Sequence, residues 1–244
     1  MKLQLISDLH LELHSDHGAA LLRSLRPMPG AEVLVVAGDL TTARAARALG
    51  PDFHFGPLVS AWRQVVYVPG NREHYGGSPM ETEGMLDAWE AAHPRLTILR
   101  NDARTVLGRK FYGGTMWFKE DPAAAPYRHT TGVFHAVSEH WIYQQEAAFR
   151  KGLLEHGQGA IVVSHHLPVP ACVSPRFRGS PLNAFFLNDV REEITRVRPA
   201  LWLHGHTHDR VKIEDSGVRI FANPVGRPGE ELPLPHDRCL VIEA

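Results

Sequence analysis

The stretch "ALWLHGHTH", Ala200 to His208, places a short apolar run directly before three histidines at alternate positions. A short apolar run bounded by polar residues is typical of a buried β-strand. Alternate side chains of an extended chain point to one side, so His204, His206 and His208 are expected to share a face. The glycine between the first two would permit close approach to an ion. Because imidazole is a common metal ligand, the stretch predicts a metal site at the end of a buried strand.

Four other apolar runs end in the same way, in side chains that bind metals. They end in Asp8-Leu9-His10, Gly38-Asp39, Gly70-Asn71 and His165-His166. In α/β sheets, ligands gather beyond the carboxyl ends of the strands, so all five segments are expected to meet at one rim. The ligand atoms are oxygen and nitrogen without thiolate, a set that suits Mn, Fe or Zn.

Each segment also has an ordinary structural interpretation. Asp8 could cap a turn, Asp39 could belong to a turn before a helix, and Pro-Gly-Asn is common turn chemistry. The segments are independent, and all of them follow predicted strands. Their joint occurrence favours a metal site over five unrelated turns.

Alternating apolar runs and helical patterns predict an α/β fold with two packed sheets and helices outside. Strands are expected at Lys2–Ser7, Glu32–Ala37, Val65–Val68, Thr97–Leu99, Thr105–Leu107, Lys110–Tyr112, Ala160–Ser164, Ala200–Leu203, Val211–Glu214, Arg219–Ala222 and Cys239–Glu243. Helices are expected at Ala19–Leu25, Thr42–Leu49, Pro57–Trp62, Met80–Ala92, Val137–His156 and Ala184–Val197. The segment Lys119–Thr131, rich in Ala and Pro, predicts an inserted loop within one domain of residues 1–244.

Composition argues against several classes of function. The 244 residues are 43% hydrophobic and 22% charged, which is ample for one large core. A net charge of -1 gives no basic field for duplex nucleic acid, so nucleic-acid binding is not expected. Two cysteines, Cys172 and Cys239, are too few for a disulfide framework, which indicates a reduced, cytoplasmic setting. No apolar run approaches the ~20 residues of a membrane helix, so no membrane contact is expected.

The ordered set of polar segments resembles the pattern of the calcineurin-like metallophosphoesterases. That family carries D-x-H, G-D, G-N-H followed by an acid, an isolated H, and G-H-x-H. This sequence shows the pattern as Asp8-Leu9-His10, Gly38-Asp39, Gly70-Asn71, His165 and Gly205-His206-Thr207-His208. The resemblance runs from Lys2 to about Asn223. It implies a four-layer αββα sandwich, built from two packed mixed sheets flanked by helices, with a dinuclear metal site.

The resemblance also implies which side chains bind the two divalent ions. One ion would be held by Asp8, His10, Asp39 and His208, and the other by Asp39, Asn71, His165 and His206. Asp39 would bridge the ions, and a bridging water, deprotonated near neutral pH, would attack phosphorus in line. The implied activity is hydrolysis of a small phosphomonoester or phosphodiester, and Asp39, Asn71, Arg72 and His74 are the expected catalytic residues.

Arg72 departs from the family pattern, which has histidine at this position. That histidine is often assigned as the acid for the leaving group. Arginine has a pKa above ~12 and gives up no proton, but it can grip phosphate oxygens in a fork. His74 could replace the acid, although a packing histidine is the alternative. Glu73 matches the acid of the motif and would orient the backbone or its neighbours, or be solvated.

Two arginines in "SPRFRGSPLN", Arg176 and Arg178, are candidates to contact substrate, with a solvated loop as the alternative. Two further functions also stay open. A nuclease would use the same site without support from the net charge. A metal-binding interaction module with little turnover would keep the scaffold; the intact ligand set argues against it and Arg72 argues for it. The sequence leaves the oligomeric state open.

Overall fold

A computed structural model describes residues 1–230 and 240–244. The strands are β1 Lys2–Ile6, β2 Ala31–Ala37, β3 Gln64–Val68, β4 Leu96–Ile98, β5 Asp102–Val106, β6 Arg109–Gly114, β7 Ile161–Ser164, β8 Leu201–His204, β9 Val211–Asp215, β10 Val218–Ala222 and β11 Leu240–Glu243. The α-helices are α1 Ala19–Ser24, α2 Ala43–Leu49, α3 Pro51–Ala61, α4 Pro79–Ala92, α5 Val133–Ala136, α6 Glu139–His156 and α7 Arg191–Val197.

Within these described residues the strands form two mixed sheets. The first has the order β11-β1-β2-β3-β4, in which β1 to β4 are parallel and β11 is antiparallel. The second has the order β5-β6-β7-β8-β10-β9, with antiparallel strands at both edges and parallel strands between them. The parallel strands of each sheet end at a common rim, which is where the polar segments were expected.

Strand β2 shows how the two sheets pack. Val33, Val35 and Ala37 belong to a buried cluster that includes Phe111 and Val163 of the second sheet. The alternate residues of the strand pack instead against the helices that cover the outer face. Because both faces of the strand are covered, its apolar run is continuous rather than alternating. A third cluster joins the second sheet to α6 and α7, so the four-layer αββα arrangement is confirmed.

Two helix predictions are wrong in their bounds. The helix expected from Pro57 begins at Pro51, where proline suits the first turn, and it runs through Pro57. The helix expected over Ala184–Val197 is instead a 3-10 turn at Pro181–Phe185 followed by α7. Between them, the amides of Asn188 and Val190 donate to the carbonyls of Leu167 and Pro168 at 3.0 Å. These tertiary hydrogen bonds replace the helical ones.

The segment expected as an inserted loop contains regular structure. Pro122–Thr130 forms a 3-10 helix, and the Asp121 side chain accepts a hydrogen bond from the Ala123 amide at its start. Ala124 packs into a cluster of buried side chains with Trp117, Phe118 and Phe185. Cys239, expected to open the last strand, lies outside the described residues. In the described part of the chain, no helix combines the length and hydrophobicity that crossing a membrane requires.

Candidate metal centre

Two groups of metal-binding side chains lie at the rim of the sheets. The first group is Asp8, His10 and His208; the second is Asp39, His165 and His206. Within each group, the ligand atoms lie within 4.8 Å of one another. The Oδ1 atom of Asn71 lies 3.1 Å from His165 Nε2, beside the second group. The seven residues expected to bind metal are therefore brought together.

His165 shows most clearly that the second group suits a cation. Its Nδ1 lies 2.9 Å from the Ala37 carbonyl, which can only accept, so Nδ1 carries the proton. Burial lowers the pKa of His165 to about 3, so the ring is neutral and Nε2 has a free lone pair. That lone pair faces Asn71 Oδ1 at 3.1 Å and Asp39 Oδ1 at 3.3 Å, both of them acceptors. Acceptor atoms that converge in this way suit a positive ion between them.

The first group has the same character. The Nε2 atoms of His10 and His208 lie 3.1 Å apart. Nδ1 of His208 contacts the Glu230 carboxylate at 2.7 Å, which assigns a proton to that nitrogen and leaves Nε2 free for an ion. Burial lowers the pKa of His10 to about 2 and keeps it neutral. Neutral imidazoles beside a buried carboxylate, Asp8, form a suitable cation site.

The ionised form of the carboxylates in the two groups is energetically unfavourable without a bound cation. Burial raises the pKa of Asp8 well above its ordinary value, and the nearby charge of Asp39 adds to the effect. Burial also raises the pKa of Asp39 to about 7, although the Arg72 amide donates to its Oδ1 at 3.0 Å. A divalent cation would reverse both shifts, because it stabilises the ionised form.

Several of the candidate ligands lie in strained backbone conformations. The φ angles of Asp8, His10, Asp39 and His206 are 55°, 46°, 53° and 63°, in the left-handed region that non-glycine residues rarely adopt. Each such residue costs about 1–3 kcal/mol, and strain of this kind concentrates at functional sites. The strand ends therefore turn sharply, and the turns aim the ligands into the rim.

The strain at His206 corrects the expectation that three histidines share a face. Its φ of 63° ends the extended conformation, so His204 does not alternate with its neighbours. His204 is buried, and its Nδ1 contacts the carbonyl of Gly205 at 2.9 Å. Gly205 lies where a side chain does not fit. A Cβ atom there would lie 2.3 Å from the Ala37 carbonyl oxygen, so the glycine lets two strand ends approach.

Glu73 orients the backbone of the neighbouring strand end. Its fully buried carboxylate accepts hydrogen bonds from the amides of Leu40 at 2.6 Å, Gly70 at 2.7 Å, Thr41 at 3.2 Å and Asp39 at 3.3 Å. The backbone-orienting interpretation of Glu73 is thereby confirmed. The bonds tie the two loops that carry Asp39 and Asn71 to each other.

Replacing Glu73 by Ala should lower the free energy of unfolding of the metal-free protein by at least ~3 kcal/mol. Four buried amides would lose their acceptor, and each unsatisfied donor costs about 1–3 kcal/mol. Chemical denaturation measures the loss. Glu83→Ala, which removes an exposed partner of Arg100, is the control and should cost less than ~1 kcal/mol. Equal losses for the two variants would contradict this role for Glu73.

Arg72 is held at the site by a carboxylate that the sequence did not single out. Its Nε donates a hydrogen bond to Glu12 Oε1 at 2.9 Å, and its Nη2 forms an ion pair with the same oxygen at 2.7 Å. Its guanidinium carbon lies 5.4 Å from the Tyr75 ring centroid. The Tyr75 hydroxyl accepts a hydrogen bond from Asn71 Nδ2 at 3.0 Å. The one signal for Glu12 is its position two residues after His10.

Of the other residues expected to act in catalysis or in substrate binding, the structure places some at the cavity and others away from it. His74 is buried, 4.9 Å and 5.5 Å between ring centroids from Trp141 and Trp117, and it lies outside the cavity lining. Arg176 lines the cavity and donates to Asp209 at 3.0 Å. Arg178 is exposed and lies outside the lining. The structure thus brings Arg72 and Arg176 to the cavity, but not His74 or Arg178.

A cavity of about 660 Å³ opens beside the ligands. The candidate ligands Asp39, Asn71, His206 and His208 line it, and much of its wall is aromatic or aliphatic. The Phe186 ring stacks on His206, with 4.3 Å between centroids and 26° between planes. The cavity is also lined by Arg227 and Glu230. They come from the segment after β10, where no pattern in the sequence marks them.

Comparison with known proteins identifies the family. The family model for calcineurin-like phosphoesterases matches residues 1–210. The chain belongs to the calcineurin-like phosphoesterase family. Members of this family are phosphoric ester hydrolases with centres of two divalent ions, and this calcineurin-like phosphoesterase presents two ligand groups for them.

The first of two similar solved structures shares the architecture of this calcineurin-like phosphoesterase. Phosphopantetheinyl hydrolase (PptH) from Mycobacterium tuberculosis is 18% identical, with 99% of this chain and 95% of that chain covered and a TM-score of 0.75. A dimetal phosphatase from Danio rerio is 16% identical, with coverages of 91% and 86% and a TM-score of 0.44. None of the curated proteins compared with the chain matches it.

Proposed function

We propose that this enzyme hydrolyses a small phosphomonoester or phosphodiester at a centre of two divalent ions. The observation that carries the proposal is the placement of both ligand groups beside one cavity that also contains an arginine. The cavity volume of about 660 Å³ lies within the range of about 300–1,000 Å³ of pockets for small molecules. A substrate with an organic group beyond its phosphate therefore fits the cavity.

The ligand assignment follows the two groups. In the proposal, Asp8, His10, Asp39 and His208 hold one ion, and Asp39, Asn71, His165 and His206 hold the other. Asp39 belongs to the second group by distance, and its bridging role is part of the proposal. Mn, Fe or Zn suits this set of oxygen and nitrogen atoms. Two such ions, when bound, would activate water and neutralise phosphate charge.

The chain's own groups bind and orient the substrate. Arg72 binds a phosphate oxygen, because its guanidinium is fixed at the cavity. Arg176, with 57% of its side chain exposed, contacts the substrate at the mouth. Phe118 and Phe185 form part of the wall that receives the organic group and excludes water. His74 and Arg178 have no place in the proposal, because neither reaches the cavity.

Metal-dependent turnover tests the proposal. Protein stripped of metal should not cleave p-nitrophenyl phosphate or bis(p-nitrophenyl) phosphate, and Mn should restore cleavage. His165→Ala should abolish the restored activity, whereas His140→Ala, which changes an exposed histidine of α6, should retain it. Protein that binds the ions but cleaves neither ester nor any compound in a screen of phosphorylated metabolites, phosphopantetheinyl compounds included, would contradict turnover.

A further inference from the structure

Glu12 belongs to neither ligand group, yet its carboxylate lies between the ligand His10 and the phosphate-binding Arg72. We propose that Glu12 is a specificity-determining residue that favours singly charged phosphodiesters over doubly charged phosphomonoesters. The inference rests on the proposed function and names the substrate class of that site. It requires that Glu12 keep its charge close to the bound phosphate, and that phosphate bind without displacing it.

The first requirement is met by where Glu12 lies. It is in the 3-10 turn Leu11–Leu13, directly after His10, and its Oε1 is 3.9 Å from His10 Nδ1. Its side chain is 10% exposed, and that of Arg72 is 20% exposed. Arg72 lines the cavity, and both side chains are largely shielded from solvent, so the charge of Glu12 is poorly screened and acts on an anion bound at Arg72.

The bonding of Glu12 indicates that its charge matters more than its hydrogen bonds. Oε1 accepts the hydrogen bond from Arg72 Nε and makes the ion-pair contact with Nη2. Oε2 is buried and has no hydrogen-bond partner among the described residues. A carboxylate with one oxygen unused is poorly suited to a purely structural role, because an amide or hydroxyl could accept the same hydrogen bond.

The second requirement is met by the geometry of Arg72. Glu12 occupies the edge formed by Nε and Nη2, whereas Nη1 has no partner in residues 1–230 or 240–244. Arg72 lines the cavity, and its remaining N–H groups can therefore bind a phosphate oxygen while Glu12 stays in place. The bound phosphate then experiences attraction to Arg72 and repulsion from Glu12 at once.

The repulsion depends on the charge of the phosphate. A Coulomb energy is proportional to each charge, so a dianion is repelled twice as strongly as a monoanion. A phosphomonoester has its second pKa near ~6 and carries two charges at pH 8. A phosphodiester carries one. Glu12 therefore offsets much of the advantage that a cationic site gives to a monoester.

Glu12→Gln tests the inference, because glutamine keeps an acceptor for Arg72 and removes the charge. Calorimetric titration of the Mn-loaded enzyme at pH 8 with inorganic phosphate and with dimethyl phosphate measures binding. We expect about tenfold tighter binding of inorganic phosphate and about threefold tighter binding of dimethyl phosphate, as doubling the charge squares the factor. The kcat/KM for p-nitrophenyl phosphate, relative to that for bis(p-nitrophenyl) phosphate, should rise about threefold.

Asp209→Asn is the matched control. It removes a carboxylate that is paired with another arginine of the cavity, Arg176, but this pair is exposed and screened. Both ligands should bind the control within about twofold of wild type. If Glu12→Gln does not fold, Glu12→Asp and Glu12→Ala provide the same comparison of a charged with an uncharged side chain. The aspartate variant keeps the charge and should keep the wild-type preference, whereas the alanine variant should lose it.

Equal changes for the two ligands, or no change for either, would overturn the role of Glu12. Failure of the proposed function has a different result: wild-type enzyme would cleave neither ester. The calorimetric comparison needs no turnover, so it decides the role of Glu12 in that case as well.

Discussion

Asp39→Asn should lower kcat/KM for bis(p-nitrophenyl) phosphate by more than about a thousandfold. The bound ions supply several kcal/mol of charge stabilisation, and each ~1.4 kcal/mol is tenfold in rate. Asp39 is the residue proposed to contact both ions, so its neutral isostere should weaken both. Steady-state kinetics and the metal content of the same samples measure the effect.

The fold should survive this substitution. Burial raises the pKa of Asp39 to about 7, so at pH 8 the ionised carboxylate destabilises the metal-free fold. This cost appears as pH rises toward that pKa, and asparagine removes it. Metal-free Asp39→Asn should therefore be at least as stable as wild type at pH 8. Asp209→Asn is the control and should retain activity. Loss of activity together with global unfolding would indicate a structural role for Asp39.

The second large effect concerns the leaving group. Wild-type enzyme should cleave esters of acidic phenols far faster than alkyl esters, because Arg72 cannot donate a proton. General acids contribute about 10²–10⁴-fold, mostly for poor leaving groups. Arg72→His should therefore lower the ratio of the aryl-ester rate to the alkyl-ester rate, by a factor of up to about 10²–10⁴. It should also weaken binding of inorganic phosphate, as a fork of charged donors is lost.

Two variants distinguish the effect of proton donation from the effect of the positive charge in this experiment. Arg72→Gln removes the charge without adding an acid, so it should weaken phosphate binding and leave the ratio as in wild type. His74→Phe should also leave the ratio unchanged, because His74 packs against Trp117 and Trp141. A wild type that cleaves alkyl and aryl esters equally fast, with chemistry rate-limiting, would contradict the assignment of Arg72.

The candidate metal ligands could be predicted from the sequence to lie together because of strand polarity. Parallel strands end at one rim, so ligands separated by up to 200 residues, from Asp8 to His208, converge without any knowledge of the loops. The two packed sheets followed from the same strands, because continuous apolar runs need cover on both faces. The division of the ligands into two groups came from the family resemblance.

Residues whose role depends on tertiary contacts could not be located in this way. The pairing of Glu12 with Arg72 joins positions 60 apart, and the contact between His208 and Glu230 joins two loops. The sharp turn at His206 depends on the carboxylate of Asp8, which accepts a hydrogen bond from the His206 amide at 3.0 Å. Local periodicity carries no information about such contacts, and for this reason the expected alternation of the histidines was wrong.

The number of ions per chain tests the two-ion centre most directly. Elemental analysis of metal-stripped protein, reconstituted with Mn and freed of excess metal, should give two ions per chain, one for each ligand group. The Asp39→Asn variant should give fewer. Wild-type protein that reaches full activity and never exceeds one ion per chain would contradict the account.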